Sequence, residues 1–250
     1  MLTEERQAYI LDRVNKFNTV KLKDLVIELG ASESTIRRDF DDLEDKGLIK
    51  RVHGGAMSID GAFTFDNTIF ERSEKALSEK IAIGRYCGSL VKDGDFVYID
   101  AGTTCYEIIP FLRGKDIVVV TNGIHNVDRL LENNIKTYIL GGYVKPLTKA
   151  VIGEEVILDL GKYRFTKAFI GANGISANSS ITTPDISEAN IKAEAIRRSK
   201  DVYVVTDSSK FGKVSFAKIC DLDEVSIVTD AKKEVIDKRI LENTRIISVE

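Results

Sequence analysis

The residues best equipped for chemistry stand within positions 32–56, where hydroxyls at Ser34 and Thr35 and guanidinium groups at Arg37 and Arg38 precede Lys50, Arg51 and His53. Hydroxyl and guanidinium donors on the first two turns of a helix suit phosphate oxygens and the base edges of a DNA major groove. Ser32 is a good N-cap and Glu33 complements the positive end of the helix dipole. Ile36, Phe40 and Leu43 recur at helical spacing, so burying that face turns Ser34, Thr35, Arg37 and Arg38 outward. A plainer arrangement is open to the same residues, with Arg37 or Arg38 paired to Glu33, Asp41 or Asp42 along the helix. Gly47 closes the helix, and an alternation of apolar and basic residues leads to a Gly54-Gly55 turn. Lys50, Arg51 and His53 on such a hairpin suit flanking phosphates or a minor groove.

A second group of candidates is scattered through the rest of the chain. Asp100-Ala-Gly-Thr-Thr104, Thr121-Asn-Gly123, Gly141-Gly142, Gly171-Ala-Asn-Gly174 and Asp207-Ser-Ser-Lys210 each follow a short apolar, β-branched run. Small and hydroxylated loops at the carboxyl ends of parallel strands are where such sheets bind ligands, often anions held by backbone N–H groups. Tight-turn chemistry alone explains one loop of this kind. Five in register point to a polar or phosphorylated small ligand.

Two sets of elements must position these groups. Ile10, Val14 and Phe17 mark a first helix, Leu22, Leu25, Val26 and Leu29 a second one ended by Gly30, and residues 32–46 a third. Three short helices followed by a basic hairpin predict a winged helix-turn-helix domain over residues 1–57. Residues 58–75 lack clear periodicity and read as a linker. From residue 76 to 250, helical patterns alternate with strands predicted at 96–99, 117–120, 137–140, 167–170, 202–205 and 224–228. That alternation predicts an α/β domain with a largely parallel sheet.

Composition narrows the class further. A chain of 250 residues that is 43% hydrophobic and 30% charged has the make-up of an ordinary globular protein. Neither a basic leader nor an apolar run of membrane length is present, which predicts a cytoplasmic protein without membrane partners. Cys87, Cys105 and Cys220 are too few and too far apart for a disulfide framework, and His53 and His125 leave little for a metal site. No metal or other cofactor is expected. The net charge is −3, and residues 1–57 carry ten bases against eleven acids, so any affinity for DNA must come from charge sorted by face.

The segments Ser32-x-x-Thr-Ile-Arg-Arg-Asp-Phe40 and Lys50-Arg-Val-His-Gly-Gly-Ala56 resemble the signature of DeoR-type transcriptional regulators. The resemblance continues through Asp100-Ala-Gly-Thr-Thr104, Leu140-Gly-Gly142, Phe169-Ile-Gly-Ala-Asn-Gly174, Thr182-Thr-Pro-Asp185 and Asp207-Ser-Ser-Lys-Phe-Gly212. It implies a C-terminal sugar-phosphate sensor domain similar in fold to ribose-5-phosphate isomerase, operator DNA as a partner, and a homo-oligomer, dimer or tetramer, holding several heads at half-site spacing. The opening Met-Leu-Thr-Glu-Glu-Arg6 and Gly141-Gly-Tyr-Val-Lys145 are most similar to regulators of fructose operons. That similarity implies fructose 1-phosphate as inducer of a fructose phosphotransferase operon, with a tagatose phosphate as the competing effector.

Under this resemblance Gly102, Thr103 and Thr104 hold the phosphate, Lys210 adds charge, and Gly141 and Gly142 belong to the same loop set. Asp100, Asn122, Asn173, Asp185 and Glu188 then take sugar hydroxyls, since carboxylates and amides discriminate hydroxyl positions by directional hydrogen bonds. Asp185 is equally an N-cap for the helix that carries Glu188 and Lys192. An isomerase needs a carboxylate to shuttle a proton, and the loop Gly171-Ala-Asn-Gly-Ile175 has none, which leaves Asp100, Asp185 or Glu188 as substitutes. The expected chain is therefore a regulator and not an enzyme.

Overall fold

Helix α1 (Thr3–Phe17) buries Ile10 and Val14, strand β1 (Thr19–Lys21) follows, and α2 (Leu22–Leu29) and α3 (Glu33–Asp45) form the turn-linked pair expected from their spacing. The structure is a computed structural model that describes residues 3–17, 19–46, 48–52, 54–58, 69–178 and 180–249. It divides into two units, Met1–Phe63 and Thr64–Glu250. In the first, α2 stops at Gly30, whose φ of 59° is left-handed and disfavours any side chain. Strands β2 (Ile49–Val52) and β3 (Gly55–Ser58) make the expected wing. The sequence pattern did not reveal β1, which pairs with β3 to complete an antiparallel sheet of order β1-β3-β2. Gly55 is needed at that crossing, because a Cβ there would stand 2.1 Å from the carbonyl oxygen of Val20. Ile36, Phe40 and Leu43 pack against Ile10, Val14, Leu25 and Ile49 to form the core of this unit.

The second unit begins with α4 (Ile69–Glu74) and α5 (Leu77–Leu90). Helix α4 lies inside the stretch read as a linker, of which 59–68 fall outside the described residues. Six elements follow: β4 (Phe96–Ile99), α6 (Thr103–Tyr106), β5 (Val118–Thr121), α7 (Ile124–Glu132), β6 (Lys136–Ile139) and the short β7 (Tyr143–Val144). The chain continues through β8 (Val151–Ile152), α8 (Glu154–Leu160), β9 (Phe165–Gly171), β10 (Gly174–Ser176), β11 (Ser180–Thr183) and α9 (Ile186–Arg197). It ends in β12 (Ser199–Val205), β13 (Ala217–Cys220), β14 (Ser226–Thr229), α10 (Lys238–Asn243) and β15 (Arg245–Ser248).

The main sheet has the order β15-β14-β12-β9-β4-β5-β6, and every neighbouring pair is parallel. All six predicted strands are in it, and β15 adds an edge. Alternate residues of β4 face opposite ways, as the strand period requires. Val97 and Ile99 join Ile83, Cys87 and Leu130 in one core, while Tyr98 joins Val156, Leu160 and Ile191 in the other. Helices α5 and α7 thus cover one face, and α8 and α9 the other. A smaller antiparallel sheet, β10-β11-β13, and the hairpin β7-β8 decorate this frame. Helix α5 lies very close to its neighbour: a Cβ at Gly84 would stand 2.2 Å from the carbonyl oxygen of Glu107, and one at Gly88 2.4 Å from Cβ of Phe111. The three cysteines are buried free thiols, with burial pushing Cys220 up to about 12.

Candidate functional site

The first candidate surface is the front of α3. Ser32 caps the helix, its hydroxyl accepting from the Thr35 N–H at 3.2 Å and lying within 2.9 Å of both the Ser34 and Thr35 hydroxyls. Its first duty is therefore to the helix. Ser34, Arg37 and Arg38 are exposed and Thr35 is half-buried, as the buried stripe of Ile36, Phe40 and Leu43 requires. Arg37 lies 3.6 Å from Glu33, an exposed pair of the kind that contributes only a few tenths of a kcal/mol (about 0.3–0.5). Arg51 pairs with Asp41 and donates its backbone N–H to Glu44 at 2.7 Å, which holds β2 against α3. His53 and the side chain of Lys50 lie outside the described residues.

The acids of α3, which make this unit slightly negative, are largely engaged within it. Arg6 grips the buried Asp39 through two hydrogen bonds, the Nη2–Oδ1 contact being 2.9 Å. Gln7 donates to Asp42 at 3.0 Å and accepts from Lys46 at 3.0 Å. These contacts tie α1 to α3 and leave Arg37 and Arg38 on the open side.

The second candidate is a cleft at the carboxyl ends of β4, β9 and β12. Gly102, Thr103 and Thr104 form one wall, Gly171, Ala172, Val205 and Asp207 another, and Arg72, Lys75, Lys80 and Lys210 converge on them. Lys80 is only 3% exposed, donates to the Arg72 carbonyl, and is pulled by burial from 10.5 to about 8, against the attraction of Asp207. Burial likewise lowers Lys210, with Asp207 opposing. Asp207 is itself turned to a local task, accepting from the Ser209 N–H at 3.0 Å. Four cations around two threonine hydroxyls, with one carboxylate among them, make a strong anion site. Sequence reading placed Gly102, Thr103, Thr104 and Lys210 here and missed Arg72, Lys75 and Lys80.

The remaining candidates are placed differently. Asp100 is 1% exposed, paired with Lys192 and accepting the Gly171 N–H at 3.0 Å, so its charge is already matched beneath the cleft. Asn122 accepts from Tyr98 OH at 3.0 Å and the Ala101 N–H at 3.2 Å and donates to the Val151 carbonyl at 3.3 Å, which clamps three segments together. Asn173 accepts from Thr183 at 3.1 Å. Asp185 does cap α9, accepting the Glu188 N–H at 3.0 Å. Lys145 bridges Asp185 and Glu188 at 3.0 and 3.1 Å, and Thr148 donates to Glu188 at 2.8 Å. Asp185, Glu188 and Lys192 share one face of α9, so a polar track runs from Lys145 toward Asp100. Gly141 and Gly142 are exposed beside β7 and do not line the cleft. The residues expected to take sugar hydroxyls are thus mostly held by protein partners.

A winged helix-turn-helix unit joined to an α/β unit with a cationic cleft defines a DNA-binding regulator with a sensor domain. Residues 6–62 match the DeoR-like helix-turn-helix domain and residues 75–231 the DeoR C terminal sensor domain. The chain belongs to the DeoR family. It is 42% identical over 245 residues to a Bacillus subtilis protein named as the uncharacterized HTH-type transcriptional regulator FruR, covering 98% of this chain and 97% of that one. It is 30% identical to the lactose phosphotransferase system repressor of Staphylococcus epidermidis, with 96% of each chain covered. A solved ribose 5-phosphate isomerase A from Methanocaldococcus jannaschii is a weak likeness, 16% identical over 54% of each chain with a TM-score of 0.40. Both sequence relatives are named as regulators. Among the described residues, no helix is long and apolar enough to cross a membrane.

Proposed function

We propose that this protein represses a sugar-utilisation operon and is released from its operator by a sugar phosphate, fructose 1-phosphate ahead of a tagatose phosphate. Ser34, Thr35, Arg37 and Arg38 enter the major groove, and Lys50, Arg51 and His53 contact flanking phosphate or the minor groove. Two or more copies present their heads at half-site spacing, because one small helix-turn-helix buries too little to be specific alone. The protein works in the cytoplasm, where its DNA is.

The observation that supports this reading best is the convergence of Arg72, Lys80 and Lys210 on Thr103 and Thr104. Lys80 is buried and Arg72 and Lys210 are half-buried; desolvated charge is costly unless an anion joins it, and a phosphate dianion satisfies all three at once. Asp100 offers no general base, because Lys192 and the Gly171 N–H already hold its carboxylate. The effector acts by binding more tightly to a state that cannot hold the operator, so effector and operator antagonise each other.

A thermal-shift panel of fructose 1-phosphate, fructose 6-phosphate, tagatose phosphates, ribose 5-phosphate and glycerol 3-phosphate tests the site, since a ligand of the native state raises its melting temperature. Operator titration with and without the best ligand tests the sense of the response. Fructose 1-phosphate is expected to stabilise most and to weaken operator binding. A saturating sugar phosphate that left operator affinity unchanged would sink the induction reading.

A further inference from the structure

In the second unit, the described buried polar atoms that lack a protein partner gather at two neighbouring residues: both ring nitrogens of His125, and Oδ1 of Asn126. Asn126 is 0% exposed, and its amide nitrogen is committed to the Asp100 carbonyl at 3.1 Å and to Thr121 Oγ1 at 2.9 Å. That network fixes the amide and turns its oxygen the other way. Buried polar atoms are ordinarily satisfied, so three orphans side by side ask for a ligand group.

Their place in the fold says which ligand. His125 and Asn126 sit in the first turn of α7, just past β5, whose Thr121 pairs with Ile99 of β4. The Asn126 amide donates to the Asp100 carbonyl, so this turn abuts the loop that carries Gly102 and Thr103. Thr103 and Tyr106 lie three residues apart on α6, and the Tyr106 ring centroid is 5.4 Å from that of His125. Neither residue lines the cleft directly, but Arg72, which does, also acts electrostatically on His125, so a sugar whose phosphate sits among Arg72, Lys80 and Lys210 extends toward this turn.

The chemistry matches hydroxyls better than phosphate. Burial holds His125 down to about 4, with Lys149 and Arg72 acting the same way and Asp100 opposing, so the ring is neutral at physiological pH. A neutral imidazole offers one donor and one acceptor, and the Asn126 oxygen is a further acceptor. A phosphate dianion only accepts, whereas each sugar hydroxyl can donate and accept.

We infer that His125, seconded by Asn126 Oδ1, reads the hydroxyl pattern of the effector's sugar and sets which sugar phosphate the cleft accepts. This rests on the effector site proposed above, and deepens it from a phosphate site to one with stereochemical selectivity.

The test uses the full chain. His53 and His125 are the only histidines, so their ring nitrogens are resolved readily by 15N NMR. Inorganic phosphate at saturation should leave the His125 nitrogens in place, and the best sugar phosphate should shift them. By calorimetric titration, His125→Leu should lower affinity for that sugar phosphate about tenfold more than affinity for inorganic phosphate, and narrow the ratio between epimeric ketohexose phosphates. The wild-type NMR arm stands even if this variant folds poorly. If sugar phosphates bind while the His125 nitrogens stay unmoved, or if His125→Leu keeps the epimer ratio, the inference is overturned and the effector site survives. If wild type binds neither inorganic phosphate nor any sugar phosphate, both fall.

Discussion

The two units carry cations for opposite circumstances. On the helix-turn-helix unit Arg37 and Arg38 are exposed, while Asp39 and Asp42 hold α1 to α3 and Asp41 and Glu44 hold β2. In the α/β unit Lys80 and Lys210 are desolvated, and burial pulls both below the ordinary lysine value. Exposed charges lose their reach over about 8–10 Å at physiological salt, whereas buried ones are screened far less. Cations therefore suit a salt-sensitive contact with a polyanion in the first unit and, in the second, the salt-tolerant, proton-sensitive contact with a small anion proposed above.

The largest effect that would sharpen this contrast is structural. Phe40→Ala should destabilise the helix-turn-helix unit by about 3–5 kcal/mol through the cavity it leaves, and calorimetry should show that transition fall while the effector-induced rise of the other persists. Loss of both together would break the division into two independently stable units. Next in size, Lys80→Met should weaken sugar-phosphate binding by roughly 10–100-fold, the loss expected for a charge-assisted hydrogen bond, measured by isothermal titration. Arg38→Ala should cost about 1–3 kcal/mol of operator affinity if the guanidinium reads a base. If it touches phosphate instead, the loss should be uniform across sequences, with a salt slope shallower by about one.

The smallest effect is also the most discriminating. A bound phosphate favours protonated Lys80, so effector affinity should fall as pH rises through about 8, where the free lysine gives up its proton. Below about pH 6 the phosphate's own second ionisation lowers affinity from the other side. The optimum should lie between. For the apo fold the sign reverses: Lys80 binds fewer protons folded than unfolded between about 8 and 10.5, so this group adds stability as pH rises through that window. Operator affinity in the absence of effector should decline far less as pH rises through about 8, since Arg37, Arg38 and Arg51 make up most of the proposed charged contacts. A parallel decline in both affinities would erase the distinction.

Much of the frame was legible because it rests on local signals. Ser32, Gly30 and the stripe of Ile36, Phe40 and Leu43 specify α3 by capping and periodicity, and β-branched runs mark the central strands of the sheet. Strand β1 was not legible, because three residues carry no period and its partner β3 is distant in sequence. The antiparallel sheet of β10, β11 and β13 was missed because its strands are only three or four residues long and carry no clear period. Part of the cleft was visible as Gly102, Thr103, Thr104 and Lys210. The other cations look in sequence like solvated helix charges, since only packing against α6 reveals them. One signal was available: Lys80 falls in register with the buried Ile83, Gly84 and Cys87, and a lysine on an apolar stripe asks for a reason. Asn122 and Asp100 stand out in the sequence as polar loop groups, but loop position cannot tell a ligand contact from a clamp that holds the loop.

The seam between α5 and the segment after α6 has one more consequence. Gly84 and Gly88 leave no room for a methyl group against Glu107 and Phe111, so the two backbones mesh like teeth. Such contacts do not yield gradually. An anion held by Lys80, as proposed, would act one turn before Gly84, on a rail keyed into the sheet's covering layer, where the packing leaves no slack to absorb the pull.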